Sequence, residues 1–192
     1  MKKGQLYIVG TKTLAGMIVD IAERSGHNVA GFFDDTSKQK THMGKPIVGS
    51  ILLCLTRPLR YANAAFAVAI GDNTGRATIC KKLLKAGLNL PAIIDPNAVV
   101  MPSSTIGSGS VLFAHSYVGT NTTLGNGNIL FPDAVITHHS SIGDYNFFAP
   151  GVVVGGHTTI TSCAKFGINS VIAPHSIIQK NYSCPPLTYV NK

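Results

Sequence analysis

Two observations predict the fold class of this chain: an unbroken six-residue repeat in its second half, and an alternation of strand-like and helix-like segments in its first. A third, the charge distribution, says where one gives way to the other. Together they predict an α/β plus all-β architecture, with a small Rossmann-like parallel α/β domain over residues 1–96 and a parallel β-solenoid over residues 97–192.

The repeat runs through Ile106, Leu112, Val118, Leu124, Leu130, Ile136, Ile142, Phe148, Val154, Ile160, Phe166, Ile172 and Ile178 without one polar residue. Two places before each anchor stands a mostly small residue, from Ser104, Ser110, Ser116, Thr122 and Asn128 through to Ser176. A helix repeats near 3.6 and a plain strand at 2, so a strict period of six describes a short strand plus a turn. Three hexads close one triangular coil, with the anchor pointing into the prism and the small residue filling its narrow interior. Successive coils then lie about 4.8 Å apart, the ordinary strand spacing. Glycine often follows the anchor (Gly107, Gly119, Gly125, Gly143, Gly155, Gly167) and reads as a turn requirement of the coil.

In the first half, Gln5 to Val9 alternates as a strand ended by Gly10, and Leu14 to Arg24 carries apolar residues at helical spacing. Asn28 to Phe33 reads as a second strand ending at Asp34-Asp35. Ala64 to Ile70 reads as a third, ending at Gly71-Asp72-Asn73, and Arg76 to Ala86 as a helix stopped by Gly87. Pro91 to Ile94 reads as a fourth short strand before Asp95-Pro96 turns the chain into the solenoid. Strand–helix alternation predicts a parallel sheet whose ligand crevice lies at the carboxyl ends of the strands, where Gly10, Thr11, Asp34, Asp35, Gly71 and Asn73 fall. The first loop, Gly10-Thr11-Lys12-Thr13-Leu14-Ala15-Gly16, lacks the GxGxxG fingerprint, which argues against NAD.

Thirteen of the sixteen Lys and Arg lie in residues 1–96, against six Asp and Glu, whereas only Asp133, Asp144 and Lys165 are charged between Asn97 and Ile178. The basic residues are scattered with little aromatic interleaving, so the charge predicts a solvated surface with some pull toward phosphorylated small molecules and no nucleic-acid partner. A solenoid with so little charge is expected to bury a face against copies of itself, and Phe113, Tyr117, Ile129, Phe131 and Phe147 are read as its outward apolar residues. Cys54, Cys80, Cys163 and Cys184 show no paired spacing, which predicts free thiols in a reducing, cytoplasmic compartment. Lys2-Lys3 superficially opens like a signal peptide, but Thr11-Lys12-Thr13 interrupts the apolar run, and no segment approaches a membrane span.

The combination of a strand–Gly–turn–helix start, Gly31-Phe32-Phe33-Asp34-Asp35, Ala69-Ile70-Gly71-Asp72-Asn73 with Arg76, and a following hexapeptide solenoid resembles the sugar O-/N-acetyltransferases of the sialic acid and bacillosamine acetyltransferase type. The resemblance spans nearly the whole chain. It implies a left-handed solenoid, acetyl-CoA as acyl donor, a sugar or nucleotide-linked amino sugar of surface polysaccharide biosynthesis as acceptor, and a homotrimer with active sites between neighbouring solenoids. It also implies that Gly10, Thr11, Asp34, Asp35, Gly71 and Asn73 hold the nucleotide sugar, and that Gly155, Gly156, Gly167 and Ile168 line the coenzyme.

The family's catalytic His falls on His138 within Val135-Ile136-Thr137-His138-His139-Ser140-Ser141-Ile142-Gly143-Asp144. Two residues past inward Ile136, it sits at a corner of the prism and projects outward, where a neutral imidazole can take the proton of an attacking hydroxyl or amine without a covalent acyl-enzyme. The family's acidic neighbour is His139 in this chain, and a second imidazole cannot do that job as a carboxylate does. The family's Gly-His-Gly in the first loop is Thr13-Leu14-Ala15, Phe131 fills a usually polar place, and the closing segment reads Pro185-Pro186-Leu187 and Val190-Asn191-Lys192.

His139, His157 and His175 are separated by one coil each and predict a vertical column. Gamma-class carbonic anhydrases hold zinc with three His between solenoids, but not in a single column and not behind a leading α/β domain. The column is therefore read as an exposed turn feature with no metal, and a metal-dependent hydratase as the lesser alternative. The other alternative, a non-catalytic sugar-nucleotide-binding scaffold trimer, rests on His139 standing in place of the acid and on the altered first loop.

Overall fold

In the computed structural model, which describes residues 4–192, the chain divides into two units, Met1–Ile93 and Ile94–Lys192. Lys2 and Lys3 of the signal-like start lie outside the described residues. No helix among the described residues is long and apolar enough to cross a membrane.

The first unit opens with β1 (Gln5–Val9), α1 (Thr13–Arg24) and β2 (Asn28–Phe33) at the bounds their periodicity predicts to within a residue. Leu14, Ala15, Ile18, Val19, Ile21 and Ala22 give α1 its buried stripe. There follow β3 (Thr41–His42), β4 (Lys45–Gly49), α2 (Ile51–Thr56), a 3-10 turn (Pro58–Tyr61), β5 (Ala65–Val68) and α3 (Asn73–Lys85). Strand order is β3-β4-β2-β1-β5. Because β1 pairs in parallel with both β2 and β5, Val9, Phe33 and Val68 stand level and the loops after all three strands leave one edge together.

The sheet is mixed, not purely parallel: β4 runs parallel to β2, but β3 runs antiparallel to β4. Their hairpin turns on Met43 and Gly44, both at positive φ (49° and 71°), the pattern a two-residue type I′ turn requires. Pro46 and a length of two residues hid this hairpin from periodicity. The expected fourth strand is also corrected, since Ile93–Ile94 lies in a sheet of the solenoid. Helix α3 begins three residues earlier than Arg76 because Asp72 caps it, accepting the N–H of Gly75 at 2.7 Å.

The second unit is the left-handed β-helix, with three parallel sheets of six, five and six strands. Each strand is two residues long and pairs with the one a coil later, as Tyr117–Val118 does with Val135–Ile136. Hexad register extends beyond the predicted run, with Ile94 and Val100 before it and buried Cys184 and Val190 after it. Anchors from Leu112 to Ile178 are buried.

The small interior residues do more than fill space. Asn128 Nδ2 donates to the carbonyls of Gly125 (2.8 Å) and Gly143 (2.9 Å), and its Oδ1 accepts the N–H of Asn146. Asn146 repeats the arrangement one coil on, to Gly143 and Thr161, and accepts the N–H of Ala164. Corners bend the backbone away from strand pairing, and these side chains satisfy the groups left over.

The turn itself lies three residues after the anchor, not one. His115, Asn121, Asp133, His139, Tyr145, His157, Cys163, Asn169, His175, Asn181 and Leu187 all have φ between 54° and 63°, and Gly109, Gly127 and Gly151 fill the remaining places. Glycine after the anchor answers to crowding instead: a Cβ on Gly119 would stand 2.8 Å from the Thr137 carbonyl carbon of the next coil.

The expected outward apolar set also needs correction. Phe113 (4% exposed) and Ile129 (0%) are buried within the chain; Phe113 stacks on Phe131 at 4.8 Å, and Phe131 lies tilted against Phe147 at 5.0 Å. The outer position of one sheet carries an apolar stripe, one residue per coil: Val99, Val153, Val171 and Tyr189 exposed, Tyr117 and Val135 half-buried. None of the four cysteines is in a disulfide, and burial pushes the Cys54 and Cys80 thiols up to about 11.

Asn146→Leu is expected to destabilise the solenoid by about 2–4 kcal/mol, since it leaves two carbonyls and one N–H without this partner. Chemical denaturation followed by far-UV circular dichroism checks this, with unchanged stability as the contrary result.

Candidate active site

One edge of the solenoid carries, at the left-handed position of successive coils, Asn121, His139, His157 and His175. The imidazoles of His139 and His157 stack with centroids 5.0 Å apart at 17°, and those of His157 and His175 at 5.0 Å and 2°. The predicted column is therefore real, and its spacing is the strand spacing. Partial desolvation, followed by the neighbouring His139, His175 and His138, holds the His157 pKa below the ordinary value, so this exposed ring favours its neutral form.

His138 stands just outside the column and across it. Its ring makes 79° with His139 and 83° with His157, both at 5.3 Å between centroids. Its Nδ1 lies 3.1 Å from His139 Nδ1, and His139 Nε2 lies 3.1 Å from the side-chain amide of Asn121. His139 is thus placed to orient the His138 ring through Nδ1. Two proton arrangements fit this chain. With Asn121 Nδ2 donating to His139, His139 donates to His138 Nδ1 and the His138 proton resides on Nε2. Turning the amide to present Oδ1 reverses each donor and leaves His138 Nε2 with the free lone pair a base needs.

Asn121 is the member sequence reasoning missed. The signal was present, because it lies eighteen residues before His139 in the same register as the histidines. His138 also depends on the coil beneath: a Cβ on Gly156 would come within 2.6 Å of His138 Cε1. Gly156, read above as a coenzyme-lining residue, is first of all the space in which the imidazole lies.

In the α/β unit the carboxyl ends of β1, β2 and β5 gather the other predicted residues. Gly10, at φ 101°, turns the chain after β1 with its N–H on the Phe33 carbonyl, and a Cβ there would approach Ala69 O to 3.0 Å. Thr11 Oγ1 donates to Asp34 Oδ2 at 2.7 Å, so these two stand together. Asp35 accepts the N–H of Ile51, the first residue of α2. Asn73 is buried and its Oδ1 accepts from Arg76 Nη2 at 2.7 Å, while Arg76 Nη1 reaches the carbonyls of Ile70 and Gly71. Arg76, fully buried, thus holds the loop after β5 from inside, and Gly71 remains exposed at that edge.

The PglD N-terminal domain family matches residues 5–83, and the bacterial transferase hexapeptide, six repeats, matches residues 121–156, the stretch containing His138 and His139. The chain therefore carries a PglD-type N-terminal domain followed by bacterial transferase hexapeptide repeats. Its structure is similar to the acetyltransferase domain of PglB from Neisseria gonorrhoeae FA1090, at 25% identity and TM-score 0.90, covering 97% of this chain and 90% of that one. The same domain in complex with acetyl coenzyme A matches at 24% identity and TM-score 0.87, over 98% of this chain and 93% of that one. PerB from Caulobacter crescentus, in complex with CoA and GDP-perosamine, matches at 24% identity and TM-score 0.68, over 98% and 94%. No curated protein sequence matches.

In this chain the remaining coenzyme-lining candidates also have work within the coil. A Cβ on Gly155 would meet Pro174 N at 2.5 Å, and one on Gly167 would collide with the backbone of Pro185-Pro186. Ile168, by contrast, is 49% exposed and free to meet a ligand.

Partial burial of Asp34 acts to raise its pKa. Hydrogen bonds from Thr11 Oγ1, from Thr36 N–H and hydroxyl, and from Ser37 N–H outweigh it and hold the carboxyl at about 2. A folded-state pKa below the unfolded value of about 4 contributes stability above pH 4 that disappears as pH falls through 2. Asp34→Asn is therefore expected to cost on the order of 1 kcal/mol at pH 7, after allowance for solvent screening, with the difference from wild type vanishing near pH 2. Thermal melts of both proteins across that range decide it; a gap independent of pH is the contrary result.

Proposed function

We propose that this chain transfers the acetyl group of acetyl-CoA to an amine or hydroxyl of a nucleotide-linked sugar, with His138 as general base. The observation that carries the reading is His138 at the exposed corner, with Nδ1 3.1 Å from its neighbour and its ring resting over Gly156, in a hexapeptide transferase led by a PglD-type domain. The acceptor nitrogen or oxygen attacks the thioester carbon as His138 Nε2 takes its proton. The carbon–sulfur bond then breaks, CoA leaves as the thiolate, and the proton on His138 passes to it or to water. His139, held by Asn121, fixes the His138 tautomer through Nδ1. Gly10, Thr11, Asp34, Asp35, Gly71 and Asn73 are assigned to the nucleotide sugar, and Gly155, Gly156, Gly167 and Ile168 to the coenzyme arm. The free thiols favour the cytoplasm, where activated sugars for surface polysaccharides would be its substrates.

His138→Ala is expected to lower acetyl transfer by about 10²-fold or more, the usual range for a positioned base. Gly156→Ala, which displaces the ring while keeping it, is expected to lower kcat about tenfold. A mass-spectrometric assay of acetyl-CoA turnover against UDP-, GDP- and dTDP-amino sugars and free sialic acids reads both. Near-wild-type turnover by His138→Ala would refute the base assignment. Saturable binding of acetyl-CoA by calorimetry separates the enzyme from the scaffold reading.

We further propose a homotrimer. A lone prism offers His138 a corner without an opposing wall, and a neighbouring solenoid would turn that corner into a cleft that excludes water. The stripe Val99, Tyr117, Val135, Val153, Val171 and Tyr189 supports this, with Val99, Val171 and Tyr189 at 49%, 41% and 67% exposure. Its middle residue, Val135, lies three positions before His138. Sedimentation equilibrium is expected to give the mass of three chains, and Val153→Glu with Val171→Glu to reduce it to one while the fold survives. A stable wild-type monomer with full activity would sink the proposal.

A further inference from the structure

The corner that presents His138 also brings three imidazoles within reach of one another. One possible ligating nitrogen from each of His138, His139 and His157 lies within 4.8 Å of the other two, and all three side chains are exposed. We infer that this corner binds a divalent transition-metal ion, with zinc, copper and nickel as the suitable class, through His138, His139 and His157 of a single chain.

Geometry distinguishes this trio from the column. Rings of His139, His157 and His175 stack nearly flat on one another, and parallel rings point their nitrogens side by side, not toward a common point. His138 breaks that arrangement. Crossing both neighbours at 79° and 83°, it aims a nitrogen into the space they border. Its Nδ1 and that of His139 are 3.1 Å apart, close to the ~3.3 Å edge of a tetrahedron drawn with zinc–nitrogen bonds of about 2.0–2.1 Å. Side-chain movement needed to admit an ion is small, because the rings are on the surface and the backbone beneath them is fixed by coil-to-coil hydrogen bonds: His139 N–H to Thr120 O at 2.8 Å, and His157 N–H to His138 O at 3.1 Å. Neutral imidazole is the ligand type that these borderline-soft ions favour. Three protein ligands leave a fourth position open to water or to a ligand in solution.

Occupancy has a consequence that rests on the assignment of His138 as general base. An ion on Nδ1 displaces the hydrogen bond to His139 and leaves the ring's one remaining proton on Nε2. That nitrogen then has no lone pair for the acceptor's proton, so a bound ion would silence transfer, and a chelator would restore it.

The test is calorimetric titration of zinc chloride into the full chain, with wild type, His157→Ala, His175→Ala and Cys163→Ser compared. His175 lies in the column but outside the trio, and Cys163 lies at the turn of the next hexad. The expected result is one ion per chain, bound at least about tenfold more weakly by His157→Ala and unchanged in the other two. No binding by wild type, unchanged binding by His157→Ala, or an equal loss in His175→Ala would each overturn the site. Circular dichroism confirms that the exposed substitutions leave the fold intact. Acetyl transfer measured in parallel separates the two ideas: zinc bound at this corner without inhibition overturns the role of His138 as base and leaves the metal site standing.

Discussion

Everything in the second half of this chain depends on one constraint: strand residues pair with their counterparts eighteen positions on, each such N–H reaching the carbonyl seventeen positions ahead, with no allowance for slippage. Gly119 N–H meets Ile136 O, Thr137 N–H meets Val154 O, and Gly155 N–H meets Ile172 O. A single inserted residue would turn every later anchor from the interior to a corner. The constraint therefore propagates to side chains. Whatever stands at one place in a coil lies directly beneath its counterpart in the next, so like residues stack and a missing side chain opens a space. His138 over Gly156 is that second case, and the histidine column is the first.

The same rigidity explains how a short, exposed turn can hold its side chains in a fixed geometry. Turns in most proteins are mobile because few contacts restrain them. Here each corner is bonded above and below through its backbone, and most are also tied inward by buried Ser, Thr or Asn, as Thr122 Oγ1 is to the Thr137 carbonyl just before His138. The imidazole needs little support from its own surroundings, since the coil supplies it.

Legibility in the sequence followed the physics of each part. Anchors and interior residues were readable because burial forbids polar substitution at those places, and a period of six has no rival explanation. The position of the turn was not. Glycine drew attention one residue after the anchor, where crowding by the next coil selects it. The left-handed position is filled by His, Asn, Asp, Tyr, Cys and Leu as well as Gly, too varied a set to stand out. The apolar stripe escaped for a related reason: valine in a two-residue strand looks like core whichever way it points. Phe113 and Ile129, taken for surface, are buried. In the α/β unit, β1, α1 and β2 carry clean periodicity, whereas β3 is too short to have any and β4 contains Pro46. The candidate residues divide likewise. His138, His139 and the loop ends were visible as types in a register. That Asp35 already holds the N–H of Ile51, that Asn73 already holds the Arg76 guanidinium, and that Asn121 belongs to the histidine corner, are matters of distance.

Replacing a carboxylate with His139 changes how the site can work. A carboxylate only accepts hydrogen bonds, so it fixes one tautomer of the neighbouring His and balances the positive charge that develops when that His takes a proton. An imidazole does the first only if its own far nitrogen is held, which makes Asn121 part of the device. It does the second poorly, because a neutral ring offers a lone pair and no charge. Nor can two adjacent rings share the load by both ionising, since like charges so close oppose each other. The chain Asn121–His139–His138 therefore favours a mechanism in which the proton leaves His138 promptly, to the departing thiolate, over one in which an imidazolium persists. The arrangement that would weaken electrostatic support for a base at His138 is the same one that would supply three lone pairs to the proposed metal ion.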